Sequence, residues 1–127
     1  MRSDPLLFVR DVPASSLWYQ RLLGAKSGHG GDEYEMIVDD EKNVLVQLHH
    51  LDGEEHGDVG ITKDAPRGVG VLIYILVEDV RAVHATAVEM GADVQSDPVF
   101  LELAHHTEFV VADPDGYRLA VYSPGGR

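Results

Sequence analysis

The chain has 127 residues, 44% of them apolar, and no cysteine; that is enough for one domain with a real core, and it excludes disulfides and thiolate metal sites. Its formal net charge of −12 disfavours nucleic acid and anionic membrane as partners, because phosphate binding needs clustered Lys and Arg. The acid is densest at residues 32–41 and 52–64, where it favours solubility and would also draw a cationic ligand.

The first apolar run, Leu6-Leu7-Phe8-Val9, lies between Asp4 and Arg10. It is far shorter than a signal segment or a membrane span, so a cytoplasmic location is expected. Its composition predicts a strand. Asp11 then suits a helix entry and Pro13 tolerates the first turn, where no amide partner is needed. Ala14, Leu17, Trp18 and Leu22 are spaced to form one apolar helix stripe, which Gly24 ends in the left-handed conformation. Trp18 is expected in the helix-packing core. Two strands follow, 34–38 and 44–49, joined by the polar turn Asp39-Asp40-Glu41-Lys42-Asn43.

After an acidic, glycine-rich linker at 51–68, the same order returns. A strand-like run at 71–77 leads to Asp79, and Val80, Val83, Ala87 and Met90 give the second helix its stripe before Gly91. Strands at 108–112 and 117–122 are joined by Asp113-Pro114-Asp115-Gly116, which suits a type I turn. The pairing is too close for chance: Val9-Arg10-Asp11-Val12 and Val77-Glu78-Asp79-Val80 lie 13 and 12 residues ahead of Gly24 and Gly91, counted from each Asp. Duplication of one βαβββ unit is the reading. The fold class is therefore α+β, one domain over 1–127, with module one at about 1–50 and module two at about 69–127.

Strand residues alternate between faces, so each strand can be split by parity. Leu7, Val9, Val44, Val46, Leu48, Val71, Ile73, Ile75, Val77, Leu119 and Val121 are all aliphatic and belong under the helices. The other parity mixes apolar, aromatic and polar groups: Asp4, Phe8, Gln47, His49, Leu72, Tyr74, Arg118, Ala120 and Tyr122, with Leu6, Leu45 and Leu76. Such a mixture suits the wall of a small-molecule cleft, a partly solvated face or a dimer surface. Phe8, Tyr74 and Tyr122 could stack on an aromatic ligand, and Arg118 could pair with a ligand carboxylate or with Asp4.

Of the seven histidines, adjacent His49 and His50 face opposite ways on a strand and cannot chelate one ion together. His49 combined with His105 or His106 is a conceivable metal site. His29, His56 and His84 read as surface residues. Gly28-His29-Gly30-Gly31 lacks the helix and lysine of a phosphate cradle and is a loop.

The segments FVRDVPASSLWYQRLLGA, VEDV with EMGADV, and FVVADPDGYRLAVY together resemble the vicinal oxygen chelate superfamily. That group contains glyoxalase I, extradiol dioxygenases, fosfomycin-resistance enzymes and bleomycin-resistance proteins. The resemblance implies paired βαβββ modules whose curved mixed sheet surrounds a cleft, commonly in a homodimer. Metal-using members carry one ligand on the first and one on the fourth strand of each module. Those positions fall on Asp4, Gln47, Leu72 and Ala120. Leu72 and Ala120 have no donor atom, and two oxygen ligands hold a transition metal poorly. No metal and no cofactor are therefore expected. The resemblance implies a small-molecule binding protein of the bleomycin-resistance kind, with a lyase or isomerase using His49, Tyr74 or Arg118 as the alternative.

Overall fold

The computed structural model describes residues 1–52 and 64–125. The chain divides into two compact units, Met1–Arg67 and Gly68–Arg127. Most of the expected linker, with His56, lies outside the described residues. Each unit holds one helix and one mixed sheet, giving an α+β fold of two modules. Among the described residues no helix is long and apolar enough to cross a membrane.

In the first unit, β1 (Leu6–Val9) leads through α1 (Val12–Leu23) to β2 (Lys26–Ser27), β3 (Tyr34–Val38) and β4 (Val44–His50). The sheet order is β1-β4-β3-β2. The helical crossover makes β1 parallel to β4, pairing Leu6 with Gln47 and Phe8 with His49, while β2, β3 and β4 run antiparallel. Asp11 caps α1, its carboxylate accepting from the Ala14 amide at 3.0 Å. Gly24 closes the helix at φ 64°, a conformation costly for any residue with a Cβ.

The buried face of α1 shares only Leu22 with the expected stripe. Val12, Ser15, Ser16, Tyr19 and Leu22 face the sheet, whereas Ala14 is exposed, Leu17 is 60% exposed, and Trp18 is half-buried with its ring set against the edge of Tyr19 at 4.8 Å. The physical reason lies in the two serines. Their small side chains let the helix approach the sheet, and the Ser16 hydroxyl finds a partner there in the buried Glu35 carboxylate at 2.9 Å. A polar pair thus turned the helix so that Tyr19, not Trp18, became the core ring.

In the second unit, β5 (Ile73–Leu76) leads through α2 (Val80–Glu89) to β6 (Asp93–Val94), β7 (Val99–Leu101), β8 (His106–Ala112) and β9 (Arg118–Pro124). The order is β5-β9-β8-β6, with β7 also paired to β8 and β5 parallel to β9. The second strand of this module is broken in two, β6 and β7. Between them the Ser96 hydroxyl, not a backbone carbonyl, accepts the Val110 amide at 2.8 Å, and Pro98 has no amide to donate. Asp79 caps α2 through the Ala82 amide at 3.1 Å. Val80 and Ala87 are buried, with Val83 and Met90 half-buried on the same side. His84 is not a surface residue: its ring meets buried Phe109 edge-on at 5.0 Å.

The turn Asp113-Pro114-Asp115-Gly116 closes with a Gly116 amide to Asp113 carbonyl bond of 3.0 Å. The Asp113 carboxylate also accepts the amides of Asp115 and Tyr117, each at 2.9 Å. On the helix side of the two sheets Val9, Val46, Leu48, Leu119 and Val121 are fully buried. Val71, assigned to that side by parity, lies ahead of β5 and is exposed. Outside the ladder, alternation no longer decides where a side chain points.

Candidate functional site

In the second unit, the sheet face away from α2 carries Tyr74 and Leu76 from β5, Ala120 and Tyr122 from β9, and His106, Glu108 and Val110 from β8. Cross-strand pairing fixes this arrangement: Tyr74 lies beside Ala120, Leu76 beside Tyr122, and Tyr122 beside Glu108. Leu72 stands just ahead of β5. Leu72, Tyr74 and Leu76 are 42%, 49% and 60% exposed, a run of large apolar groups facing solvent that asks for an occupant.

Beside this strip is a polar cluster. Glu108 Oε1 accepts the Tyr74 hydroxyl at 3.0 Å and pairs with His106 Nε2 at 2.7 Å. The carboxylate is 11% exposed and the imidazole 14%. Because a carboxylate only accepts, His106 Nε2 carries the proton in this contact. The three rings enclose it: Tyr74 to Tyr122 at 5.5 Å, His106 to Tyr122 at 4.8 Å and Tyr74 to His106 at 6.0 Å between centroids. The bond to Glu108, then burial, then the Glu108 charge push the Tyr74 hydroxyl above its ordinary pKa, so it stays protonated and donating at neutral pH.

The corresponding face of the first unit brings Phe8, Gln47 and His49 together with Tyr34, which the parity assignment had not included. Phe8 and His49 rings lie 5.6 Å apart, and the buried His49 directs Nδ1 to its neighbour's carbonyl, His50 O, at 2.9 Å. Gln47 is used at both ends: its carbonyl accepts the Tyr34 hydroxyl at 2.5 Å and its amide donates to the Asp4 carbonyl at 3.0 Å. Burial, with the charges of Asp4 and Glu35, raises the Tyr34 pKa and keeps that donor protonated. The Asp4 carboxylate is exposed and bonds Arg2 at 3.1 Å. Arg118, at the start of β9, is exposed and donates to Gln95 at 2.9 Å.

The family-implied metal positions do not fit an ion. Leu72 and Ala120 supply no donor, the Gln47 carbonyl is already occupied by a phenol, and Asp4 is turned to an arginine. Among the described residues no group of three or more His, Asp or Glu side chains is placed to share a metal.

A different carboxylate organises the helix side of the first unit. Glu35 is 3% exposed, yet it accepts five hydrogen bonds, from the hydroxyls of Ser16 and Ser27 and the amides of His29, Gly30 and Met36, at 2.7–3.1 Å. Burial alone would raise its pKa; the bonds from Ser27, Gly30, Ser16 and His29 outweigh that and hold it below the ordinary glutamate value. A hollow of about 320 Å³ lies above it, lined by Pro13, Leu17, Gln20 and Asp32 among others. The Glu35 carboxylate itself is already satisfied by the protein's own donors. Glu35 pins the loop that sets His29 edge-on against Tyr34 at 5.0 Å.

Glu108 and Glu35 were both within reach of parity. Applied to β8, alternation with buried Thr107, Phe109 and Val111 would have put Glu108 on the open face. Applied to β3, it would have put Glu35 with Ile37 on the core side, where an acid demands donors.

A family model described as Glyoxalase/Bleomycin resistance protein/Dioxygenase superfamily matches residues 4–121. Among solved structures, a protein of unknown function from Agrobacterium tumefaciens str. C58 superposes with a TM-score of 0.77 at 21% identity, covering 97% of this chain and 94% of its own. A protein from the mobile metagenome of V. Pseudocholerae gives 0.76 at 21% identity, over 99% and 96%. A glyoxalase/bleomycin resistance protein/dioxygenase family enzyme from Burkholderia phytofirmans PsJN gives 0.70 at 18% identity, over 95% and 98%. At these identities the likeness establishes the fold. A search of curated protein sequences returns no match.

Proposed function

The chain belongs to the Glyoxalase/Bleomycin resistance protein/Dioxygenase superfamily, and from that premise we propose that it is a metal-independent binding protein that sequesters a small aromatic or cationic molecule, an antibiotic or a metabolite. The observation that carries this reading is the Tyr74, His106, Glu108, Tyr122 cluster beside the exposed Leu72 and Leu76. Flat rings and leucines supply contact area, and a mostly buried carboxylate supplies one directional anchor, the usual composition of a small-molecule site. The absence of donor atoms at Leu72 and Ala120 supports binding without a metal. The working form in this reading is a cytoplasmic homodimer.

The His106–Glu108 pair also favours a second reading, a glyoxalase-like lyase or isomerase. A carboxylate that holds Nε2–H leaves Nδ1 of a neutral imidazole as a base, the arrangement used for proton transfer.

One experiment separates the two. Chelator-stripped protein is screened by thermal shift against aromatic antibiotics and metabolites, and each hit is recovered after incubation. The binding reading expects stabilisation by at least one aromatic or cationic compound and its intact recovery. Conversion of the hit would establish the second reading. Stoichiometric uptake of Ni, Zn, Fe or Mn at micromolar affinity or tighter would contradict metal independence.

A further inference from the structure

We infer that the open face of the second unit takes an organic cation: a protonated primary or secondary amine on an apolar or aromatic body, its N–H groups directed at Glu108. This rests on the binding function proposed above and names the class of its ligand.

The argument starts from the two oxygens of Glu108. Tyr74 and His106 both meet Oε1, and among the described residues Oε2 receives no hydrogen bond. Glu108 Oε2 is not among the buried polar atoms of the described residues that lack a partner, so it keeps access to the open side of the sheet, where a ligand's donor can reach it. The missing partner must be a donor, since a carboxylate can only accept. The cluster holds a carboxylate, and no Lys or Arg is bonded to it among the described residues. A cationic donor is therefore preferred over a neutral one, because charge-assisted bonds are the stronger kind.

The surroundings point the same way. Three aromatic rings with centroids 4.8–6.0 Å apart stand around the carboxylate, and ring faces attract cations. The exposed Leu72 and Leu76 offer an apolar bed for the rest of the ligand. The charged and titratable groups on this face are Tyr74, His106, Glu108, Tyr122 and Arg118, and Arg118, where β9 begins, is bonded to Gln95. An anion would meet Glu108 where, among the described residues of this face, Arg118 is already bonded to Gln95, and it would approach a chain of formal charge −12.

The test uses the full chain at about pH 8, where an alkylamine remains charged. Phenethylamine, phenethyl alcohol and hydrocinnamate share one aromatic body and differ in charge. Calorimetric titration should show the amine binding about tenfold more tightly than the alcohol, as one extra charge-assisted bond implies, with the acid weakest. Glu108→Gln, its fold checked by melting temperature and NMR spectrum, should shrink the amine-over-alcohol preference to about twofold or less. Leu76→Ala should weaken amine and alcohol together.

Equal affinity of amine and alcohol, or an amine preference that survives Glu108→Gln, would overturn the cation inference while leaving small-molecule binding intact. If no probe binds, the inference and the function beneath it both fail. If in addition Leu76→Lys converts a dimer into monomers, the leucine strip belongs to a second copy of the chain.

Discussion

Replacing Glu35 by alanine is expected to destabilise the protein by about 3 kcal/mol or more, because buried hydrogen bonds to a charged acceptor contribute about 1.5–3 kcal/mol each and Ser16 and Ser27 lose theirs together. The melting temperature should fall on the order of 10 °C. The amides of His29 and Gly30 lose the same acceptor, so the loop should open and the His29 ring should leave Tyr34. Glu35→Gln keeps one acceptor oxygen but turns two N–H donors towards other donors, and its effect should be smaller.

The effect is pH-dependent with a definite sign. A carboxyl held below its ordinary value stabilises the fold wherever the unfolded side chain is ionised, above about pH 4.3. That contribution is lost as the pH falls through the folded value. Urea unfolding at a series of pH values should therefore show the gap between wild type and Glu35→Ala constant near neutrality and narrowing in acid. A gap that widens in acid would mean that burial outweighs the hydrogen bonds and holds the folded carboxyl above its ordinary value.

The second large effect distinguishes two neighbouring positions on α1, Tyr19 and Leu17. Tyr19→Ala should cost about 3–5 kcal/mol, the range for deleting a large buried aromatic side chain, since Tyr19 has no exposed surface. Leu17→Ala, at a position 60% exposed, should stay within about 0.5 kcal/mol of wild type. The apolar stripe read from the sequence predicts the reverse order. Chemical denaturation of both variants measures the difference directly.

That reversal shows where the sequence is readable and where it is not. β3 was expected over 34–38 and forms as Tyr34–Val38, and β4 exceeds its expected 44–49 by one residue. These strands follow from β-branched, alternating runs and from turn residues, all local signals. The helix caps Asp11 and Asp79, and the duplicated order of elements around them, are equally local. What could not be read is the phase of α1. It depends on a bond between Ser16 and Glu35, 19 residues apart, which no helical periodicity encodes.

The candidate site divides along the same line. Tyr74, Tyr122 and Ala120 were placed together by parity, and the sheet of the second unit does set them side by side. Phe8, Gln47 and His49 likewise share a face in the first unit. The polar centre was missed because parity was applied to β1, β4, β5 and β9 and not to the third strand of either module. His106 entered only as a possible metal ligand, although the residue it meets is Glu108, two positions further on and on the same strand face.

The central claim is that this face binds a small molecule without a metal. NMR titration of chelator-treated, isotope-labelled protein with phenethylamine tests it most directly. The account predicts saturable shifts at one ligand per chain, centred on Tyr74, Leu76, His106, Glu108 and Tyr122 and unchanged when zinc or nickel is added. Shifts that appear only after a divalent metal is supplied, or that centre elsewhere in the chain, would contradict it.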